Sequence, residues 1–263
     1  MYFCTSLCST LMRQFHKFSY YLLVTFFFGA CASGYQIKRS ARTTYIINTE
    51  LAADSVVIKS YTPYKVKIDA EMGRVIGSSV IVMSKKQSDT LPESPLSNFF
   101  ADAIMQEARQ IDGPIDFAMP STKGGLRVDL PSGDITVSNI FELMPFENQL
   151  IVFTLKGEDV QRLLDFIAAA KGEPVSALKM TIKDKKPVNI LVGGVPFDVN
   201  KTYRVLTTDY ISGGGDGTKG FEKPLEKKVL GLKVRDALMN YVKAAGAAGK
   251  KIESKMDGRI GFE

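Results

Sequence analysis

The stretch TTDYISGGGDGTKGF, residues 207–221, places one carboxylate among glycines, six residues after the ring of Tyr210. Three consecutive glycines, residues 213–215, lose more backbone entropy on folding than other residues would. An ordered loop tolerates them where a positive φ is required or where another group approaches the backbone closely. Composition alone favours a flexible surface turn, so the rest of the chain must decide between a turn and a site.

The amino-terminal segment has the layout of an export signal. From Met12 the sequence reads MRQFHKFSYYLLVTFFFGACASG, with two basic residues, an apolar run and then small residues around Cys31. This layout is typical of a secretory signal and is too short for a membrane-spanning helix. The run FGAC, residues 28–31, resembles a bacterial lipobox in which Phe28 replaces the usual aliphatic residue. We predict a signal peptide over residues 1–31, with Met12 a better start than Met1, and an exported bacterial lipoprotein of the periplasm or cell envelope. Its membrane anchor would be lipidated Cys31; a plain secretory signal cut nearby is the alternative.

The residue inventory after this segment excludes several kinds of chemistry. The only histidine is His16, the cysteines are Cys4, Cys8 and Cys31, and the sequence has no tryptophan. Residues 32–263 therefore provide no disulfide, no thiolate or imidazole zinc site and no Ser-His-Asp or Cys-His machinery. Loss of the two basic residues of the signal lowers the formal net charge from +6 to about +4. The lysines are scattered, so nucleic-acid binding is not indicated.

The pattern of the remaining chain predicts alternating helices and strands. Ser94 is a good N-cap with Pro95 at the first helical position, and apolar residues then recur at helical spacing up to the stop at Gly113. Further helices are expected from Pro63 towards residue 72, as a short helix after the turn at residues 131–133, after Gly157 and over LKVRDALMNYVKAAG, residues 232–246.

Strands are expected for IDFAMP, residues 115–120, and for several segments between residues 149 and 210, with a Gly-Gly hairpin at residues 193–194. Over residues 35–87, YIINTE, SVVIKSY and RVIGSSVIVMS are interpreted as strands, or as an extended segment with a short helix. The fold class is α+β (mixed α/β), with layered helices on mixed β-sheets. Residues 32–60 form an extension or linker, and residues 61–263 form one domain.

Three loops carry the candidate functional residues. TKGGLR contains Gly124, Gly125 and Arg127, and MPFENQL contains Phe146 and Asn148. The third loop is the opening stretch, with its ring, its glycines and its carboxylate. Each loop taken alone is a weak signal, because Gly-Gly turns and Pro-Phe pairs are common in proteins without a site.

Together with ESPLSNFFADA, residues 93–103, these loops resemble the carboxy-terminal domain of the 5′-nucleotidase family. That family carries an N-x-G-G-I-R loop, a P-F-x-N loop, an aromatic residue followed by G-G-D-G-x, and a helix with the pattern E-S-x-L-x-N-x-x-A-D-A. The resemblance covers roughly residues 61–262. It implies a substrate-binding set without a catalytic residue or a metal ligand: Arg127, Phe146, Asn148, Tyr210 and Asp216, with Gly124, Gly125, Gly214 and Gly215 shaping the loops.

The roles implied by the resemblance agree with the chemistry of these side chains. Phe146 and Tyr210 would sandwich a nucleoside base, and one base–aromatic stack contributes about 1–3 kcal/mol. Asp216 would hold the ribose hydroxyls, since an ionised carboxylate is purely an acceptor. Asn148 would contact the base edge, and Arg127 would reach the phosphate end with its bidentate fork. The glycines would let the backbone pass beside the sugar. Tyr210→Phe would then be nearly silent, because the stacking face remains.

Three positions depart from the family pattern. Thr122 stands in place of an asparagine, Lys123 replaces a small residue, and Ala177 replaces the glycine of a turn that skirts the base. These departures concern the shape of the pocket and the choice of base.

Full-length family members also have an amino-terminal metallophosphoesterase domain, in which Asp, His and Asn side chains bind two metals. The lone histidine at position 16, and the roughly 60 residues that precede the resemblance, lead us to expect no such domain here. We expect the chain to need no cofactor of its own and to be inactive alone, with divalent metals held by a separate metallophosphoesterase chain.

Three interpretations follow. The chain is the recognition half of a split 5′-nucleotidase, a stand-alone nucleoside- or nucleotide-binding lipoprotein, or a relic with an empty pocket. Retention of the ring, glycine and carboxylate set argues against the relic.

Overall fold

The computed structural model describes residues 39–49, 51–87 and 91–263. Contacts divide the chain into two units, Met1–Asp54 and Ser55–Glu263. The described residues of the first unit, 39–49 and 51–54, form no helix or strand. The predicted signal peptide and Cys31 lie outside the described residues. No helix in the described ranges is long and apolar enough to cross a membrane.

The described part of the second unit contains six α-helices and ten β-strands. The helices are α1 (Ser55–Met72), α2 (Pro95–Asp112), α3 (Val137–Leu143), α4 (Gly157–Ala169), α5 (Asp209–Ser212) and α6 (Val234–Ala247). The strands are β1 (Val75–Ser79), β2 (Phe117–Ala118), β3 (Gly133–Thr136), β4 (Gln149–Lys156), β5 (Leu178–Lys183), β6 (Lys186–Val192), β7 (Val195–Pro196), β8 (Thr202–Thr208), β9 (Glu226–Lys233) and β10 (Ile260–Phe262).

The strands form three sheets, two of which are mixed. The central sheet has the order β2-β8-β4-β9, in which β2 and β8 are parallel and the other pairs antiparallel. A second four-stranded sheet has the order β10-β5-β6-β7, with β10 parallel to β5. β1 and β3 form an antiparallel pair. The predicted α+β class with helices on mixed sheets is confirmed.

The central sheet is covered on both faces, which explains the layering. Along β4, Leu150 and Val152 belong to a core shared with α2 and α6, whereas Ile151 and Phe153 belong to a core shared with α4 and β5. Neighbouring residues of a strand point to opposite faces, so one strand supplies both cores. β4 therefore reads as a continuous apolar run, as expected of a strand buried on both sides.

Helix α2 begins where its capping signals predict. The Ser94 hydroxyl accepts from the Ser97 amide at 3.1 Å, and the Ser97 hydroxyl accepts from the Ser94 amide at 2.9 Å, which forms a capping box. Pro95 occupies the first turn, and Gly113 ends the helix with φ of +67°. The apolar face of this helix is buried in the first core, as its spacing predicts.

The ESPLSNFFADA motif holds the carboxy-terminal segment in place. The buried Glu93 carboxylate accepts from the backbone amides of Gly258 and Arg259 at 2.8 and 3.2 Å. Asn98 donates to the Lys255 carbonyl at 3.0 Å, and Asp102 on the same helix forms an ion pair of 2.8 Å with Arg259. These polar residues therefore link α2 to the segment that leads into β10.

The structure differs from the pattern at three places. SVVIKSY is helical rather than extended. Helix α1 starts at Ser55, eight residues before the predicted start at Pro63, and contains that proline. No residue of α1 is buried, so it has no buried apolar face whose spacing would distinguish a helix from a strand in the sequence. β9 was not expected: Gly231, with φ of +68°, interrupts its alternation, and its residues are largely exposed. YIINTE forms no strand at residues 45–49.

Candidate functional site

The three candidate loops line one cleft of about 350 Å³. It contains seven of the nine predicted ligand-binding residues; Gly214 and Gly215 are not among the lining residues. The lining residues are Pro120, Ser121, Gly124, Gly125, Arg127, Met144, Phe146, Asn148, Thr208, Tyr210, Asp216 and Val234. Binding of a ligand by these residues remains a prediction.

The topology of the central sheet explains why these loops meet. The first loop follows β2 and the glycine-rich loop follows β8, and these two strands are parallel neighbours. The loop with Phe146 and Asn148 precedes β4, which runs antiparallel to β8. The ends of β2 and β8 and the start of β4 therefore lie at one edge of the sheet.

The two predicted base-stacking rings are accessible. Phe146 is 41% exposed and Tyr210 is 51% exposed. The ring–ring contacts recorded among the described residues involve other side chains, such as Phe153 with Phe221. Burial of both rings in the core, the alternative for a Pro-Phe loop and a tyrosine after a strand, is therefore excluded.

Two hydroxyl groups fix the Asp216 carboxylate at the mouth of the cleft. The Tyr210 hydroxyl donates to Oδ1 of Asp216 at 2.9 Å, and the hydroxyl of buried Thr122 donates to Oδ2. The hydrogen bond to Asp216, followed by the charge of that carboxylate, raises the pKa of the Tyr210 hydroxyl above its ordinary value. Each carboxylate oxygen keeps a further lone pair for a ligand hydroxyl.

Thr122, which departs from the family motif, therefore contacts a residue of the candidate site. This hydrogen bond could not be predicted from local sequence, because Thr122 and Asp216 are 94 positions apart.

Two glycines of the opening stretch are required by the conformation of the loop itself. A Cβ added to Gly215 would lie 2.5 Å from Cε1 of Tyr210 and 2.6 Å from its carbonyl oxygen. Gly214 has φ of +88°, a region that side chains disfavour. Asp216 itself adopts φ of +54°, which aspartate tolerates better than most residues. Gly215 thus lets the loop fold back onto the Tyr210 backbone and ring.

Asp209 joins two of the loops and was missed by sequence reasoning. Its Oδ1 accepts from the Asn148 side-chain amide at 3.3 Å and from the amides of Gln149 and Tyr210 at 3.2 and 2.8 Å. An aspartate in the first turn of a helix is a recognisable N-terminal signal, and Asp209 begins α5 directly after β8. The contact to Asn148 could not be read from the sequence.

The loop that presents Phe146 is tied to the junction between β9 and α6. Glu147 forms ion pairs with Lys233 and Arg235, and the Val234 amide donates to the Asn148 carbonyl at 3.0 Å. The hydrogen bonds from Lys233 and then Arg235 hold the pKa of Glu147 below its ordinary value. The unexpected strand β9 therefore supports the cleft.

Arg127 offers its guanidinium group at the edge of the cleft. The side chain is exposed and donates to the Gly124 carbonyl at 3.3 Å. Among the described residues it forms no ion pair, whereas most other arginines in this part of the chain are paired with carboxylates. An exposed arginine with spare donors suits a phosphate or carboxylate.

The other two departures from the family pattern are at Lys123 and Ala177. The Lys123 amide donates to Oε2 of Glu173 at 2.6 Å, and its ammonium group donates to the Ala170 carbonyl at 2.5 Å. Burial raises the pKa of Glu173 from 4.5 to about 7. Ala177 keeps a backbone with φ of +56°, which glycine would adopt without strain.

The described residues do not fit a metal centre of their own. Residues 39–49, 51–87 and 91–263 contain no group of three or more His, Cys, Asp or Glu side chains that could hold a metal ion.

Comparison with known proteins agrees with this architecture. Residues 75–223 match the model of the 5′-nucleotidase C-terminal domain. Protein UshA of Yersinia enterocolitica is 31% identical over 177 residues, which cover 64% of this chain and 30% of that protein. Cell wall protein Lmo0130 of Listeria monocytogenes is 29% identical over 184 residues, which cover 64% of this chain and 23% of that protein.

A solved structure shows the same fold. The crystal structure of a 5′-nucleotidase precursor from Thermus thermophilus superimposes with a TM-score of 0.66 at 24% identity. The match covers 79% of this chain and 43% of that one. This chain thus spans less than half the length of these relatives.

The fold and cleft define a mixed α/β domain whose loops converge around a cleft at one sheet edge. The chain belongs to the family of 5′-nucleotidase C-terminal domains.

Proposed function

We propose that this chain is the nucleotide- or nucleoside-recognition part of a split 5′-nucleotidase, which acts with a separate metallophosphoesterase chain. The observation that carries the proposal is the cleft, which holds two accessible rings, a fixed carboxylate and an exposed arginine. Aromatic faces, a carboxylate and an arginine match the base, sugar and phosphate of a nucleotide, respectively.

The binding mode follows from the contacts in the cleft. A base would stack on Phe146 and Tyr210, and its sugar hydroxyls would donate to the free lone pairs of Asp216. The Asn148 amide, oriented by Asp209, keeps an oxygen and an N–H group for the base edge. Arg127 would then face the 5′ substituent.

A separate catalytic chain is supported by the residue inventory and by one exposed surface. His16 is the only histidine of the sequence, so the chain offers no imidazole for hydrolysis after the predicted signal. Tyr61, Tyr64 and Ile68 follow one face of α1 at helical spacing and are 46%, 70% and 55% exposed. An apolar stripe of this kind favours contact with another polypeptide.

Calorimetric titration of adenosine and AMP tests the recognition role. We expect weak binding of both ligands by the chain from residue 31 onward, and about tenfold or greater weakening in Asp216→Ala, because a charged acceptor is lost. Asp134→Ala, at an exposed aspartate of β3 outside the cleft, is the matched control. Unchanged affinity in Asp216→Ala would contradict the proposal.

The same preparation should not hydrolyse AMP with Mg²⁺, Mn²⁺, Co²⁺ or Zn²⁺. Turnover that survives metal-free repurification and disappears in Asp216→Ala would contradict the split enzyme. Hydrolysis that appears on addition of a metallophosphoesterase encoded beside this gene would support it. Ligand binding without any hydrolysis when such a partner is added is the result expected of a stand-alone binding lipoprotein.

We also propose that the protein is exported and anchored through lipidated Cys31. The amino-terminal pattern supports this, as does the similarity to a protein named as a cell wall protein. A single acyl chain binds membranes only marginally, so more than one chain is expected. Cys31→Ser should move the protein from the membrane to the soluble fraction; unchanged membrane partition would contradict the anchor.

A further inference from the structure

The wall of the cleft formed by the short 3₁₀ helix Lys123–Gly125 is held from behind by one buried acid. Glu173 follows α4 and is only 7% exposed. Its Oε2 accepts from the Lys123 amide at 2.6 Å. The Lys123 ammonium group donates to the carbonyl of Ala170 at the end of α4, which fixes the same residue a second time.

This wall contacts the candidate ligand site on its other side. Gly124 and Gly125 line the cleft, and Thr122 next to Lys123 donates its hydroxyl to Asp216. A shift of Lys123 would therefore move both the surface that faces a ligand and the hydroxyl that fixes the sugar-binding carboxylate.

The surroundings of Glu173 disfavour the ionised form of its carboxyl group. Burial is the strongest influence and raises its pKa, and the negative charge of Asp216 on the glycine-rich loop acts in the same direction. The amide and the charge of Lys123 act in the opposite direction but do not compensate. The pKa is thereby raised from 4.5 to about 7, so the carboxyl group changes charge near neutral pH.

We propose that Glu173 is a positioning residue of the cleft: with a proton on its carboxyl group it holds the Lys123–Gly125 wall in the ligand-binding position, and loss of this proton loosens the wall and weakens nucleoside binding. The inference rests on the proposed function and extends it to a group outside the lining of the cleft.

The direction of the effect follows from linkage between proton binding and wall position. With the wall closed, Glu173 is buried and holds its proton up to about pH 7; with the wall open, water would hydrate the carboxylate and return its pKa towards 4.5. The closed form therefore binds the proton more tightly, and a rise in pH through this range shifts the population towards the open form. Because a ligand needs the closed wall, affinity falls as the pH rises.

The composition of the chain makes this effect easy to detect. No histidine occurs between residues 17 and 263, so no side chain with an ordinary pKa would titrate near neutral pH. Adenosine is the suitable probe because, unlike AMP, it carries no phosphate that titrates in this range.

The experiment compares adenosine affinity at about pH 6 and about pH 8 by calorimetry. We expect the wild-type dissociation constant to be about five- to tenfold larger at the higher pH, where most molecules have lost the proton. Glu173→Gln resembles the neutral acid and keeps an acceptor oxygen, so its affinity should be the same at both pH values. At the higher pH it should exceed that of the wild type.

Higher adenosine affinity of Glu173→Gln at the higher pH would support the positioning role, because a variant that merely disturbs the fold would bind more weakly. Glu158→Gln, at an exposed acid on α4, should keep the wild-type pH profile. A wild-type affinity that does not change with pH, or a Glu173→Gln variant with the wild-type slope, would overturn the inference.

A second measurement does not depend on ligand. The backbone ¹⁵N–¹H resonance of Lys123 should titrate with a midpoint near pH 7 in the wild type and should not titrate in Glu173→Gln. If this resonance titrates while adenosine affinity stays constant, the positioning role is wrong. If it titrates and no adenosine binds at any pH, the proposed function fails, and the positioning role fails with it. If adenosine binds and neither quantity changes with pH, only the role of Glu173 is wrong.

Discussion

At the scale of single residues, the Tyr210 hydroxyl has a function that its ring does not explain. It donates to Asp216 at 2.9 Å, while the ring lies against Gly215. Tyr210→Phe is therefore not expected to be silent, because it keeps the ring but removes this hydrogen bond. The tyrosine both offers a stacking face and fixes the carboxylate that would hold the sugar.

Substitutions at Tyr210 should therefore separate two contributions to nucleoside affinity. Tyr210→Ala should cost about 1–3 kcal/mol, the scale of one lost stack. Tyr210→Phe should cost about 0.5–1.5 kcal/mol, the scale of one hydrogen bond. Calorimetric titration with adenosine measures both.

Tyr64→Ala, at a 70% exposed tyrosine of α1, is the matched control, with melting curves recorded beside each titration. A Tyr210→Ala protein that melts several degrees lower but binds adenosine normally would show that the ring serves stability and not the ligand.

The glycine at position 215 should be more sensitive to substitution than the glycine at position 124. A Cβ at position 215 would meet the Tyr210 ring and carbonyl at 2.5–2.6 Å, whereas at position 124 its nearest neighbour would be Thr122 Oγ1 at 3.7 Å. Gly215→Ala should lower the free energy of unfolding by about 1–3 kcal/mol, the usual cost of overpacking. Gly124→Ala should leave it nearly unchanged. Equal denaturation midpoints for the two variants would contradict this account of the loop.

At the scale of elements, the polar side chains of the ESPLSNFFADA motif are structural rather than ligand-binding. Glu93, Asn98 and Asp102 all contact the segment that leads into β10, and none of them lines the cleft. The ESPLSNFFADA motif, which contributed to the family resemblance, therefore holds the carboxy-terminal segment against α2.

Removal of the Glu93 carboxylate should destabilise the domain without a specific effect on the ligand. Glu93→Ala leaves the part-buried Gly258 amide without its acceptor, whereas the Arg259 amide still donates to Asp257, so we expect a loss of about 1–3 kcal/mol in the free energy of unfolding. Urea denaturation measures this loss, and Glu253→Ala, at an exposed glutamate of the same segment, provides the control. Selective loss of adenosine affinity at unchanged stability would instead place Glu93 in the site.

At the scale of the whole molecule, Glu173 links the stability of the domain to pH. Its pKa is raised in the folded chain, to about 7 from 4.5, so the folded state binds the proton more tightly than the unfolded state. The stability associated with this proton is fully present below about pH 4.5 and is lost as the pH rises through about 7.

The wild type should therefore lose up to about 3 kcal/mol of unfolding free energy over this range, relative to Glu173→Gln. Urea denaturation of both proteins at a series of pH values gives the difference, in which the titration of all other carboxylates cancels. Parallel stability curves would show that Glu173 keeps an ordinary pKa in the folded state.

The sequence by itself determined the features that depend on a few neighbouring residues. The cap at Ser94 and the stop at Gly113 set the limits of α2, helical spacing set its buried face, and the loop motifs identified the family. It did not determine β9, whose pairing with β4 overrides a weak local pattern.

Only the tertiary structure decided how the loops form a site. The parallel pairing of β2 with β8 and the antiparallel pairing of β8 with β4 bring three loops to one sheet edge and place Thr122 against Asp216. The physical reason is range. Caps and turns are governed by hydrogen bonds within a few residues, whereas these contacts join groups that are distant in the chain and close only when the sheet has formed.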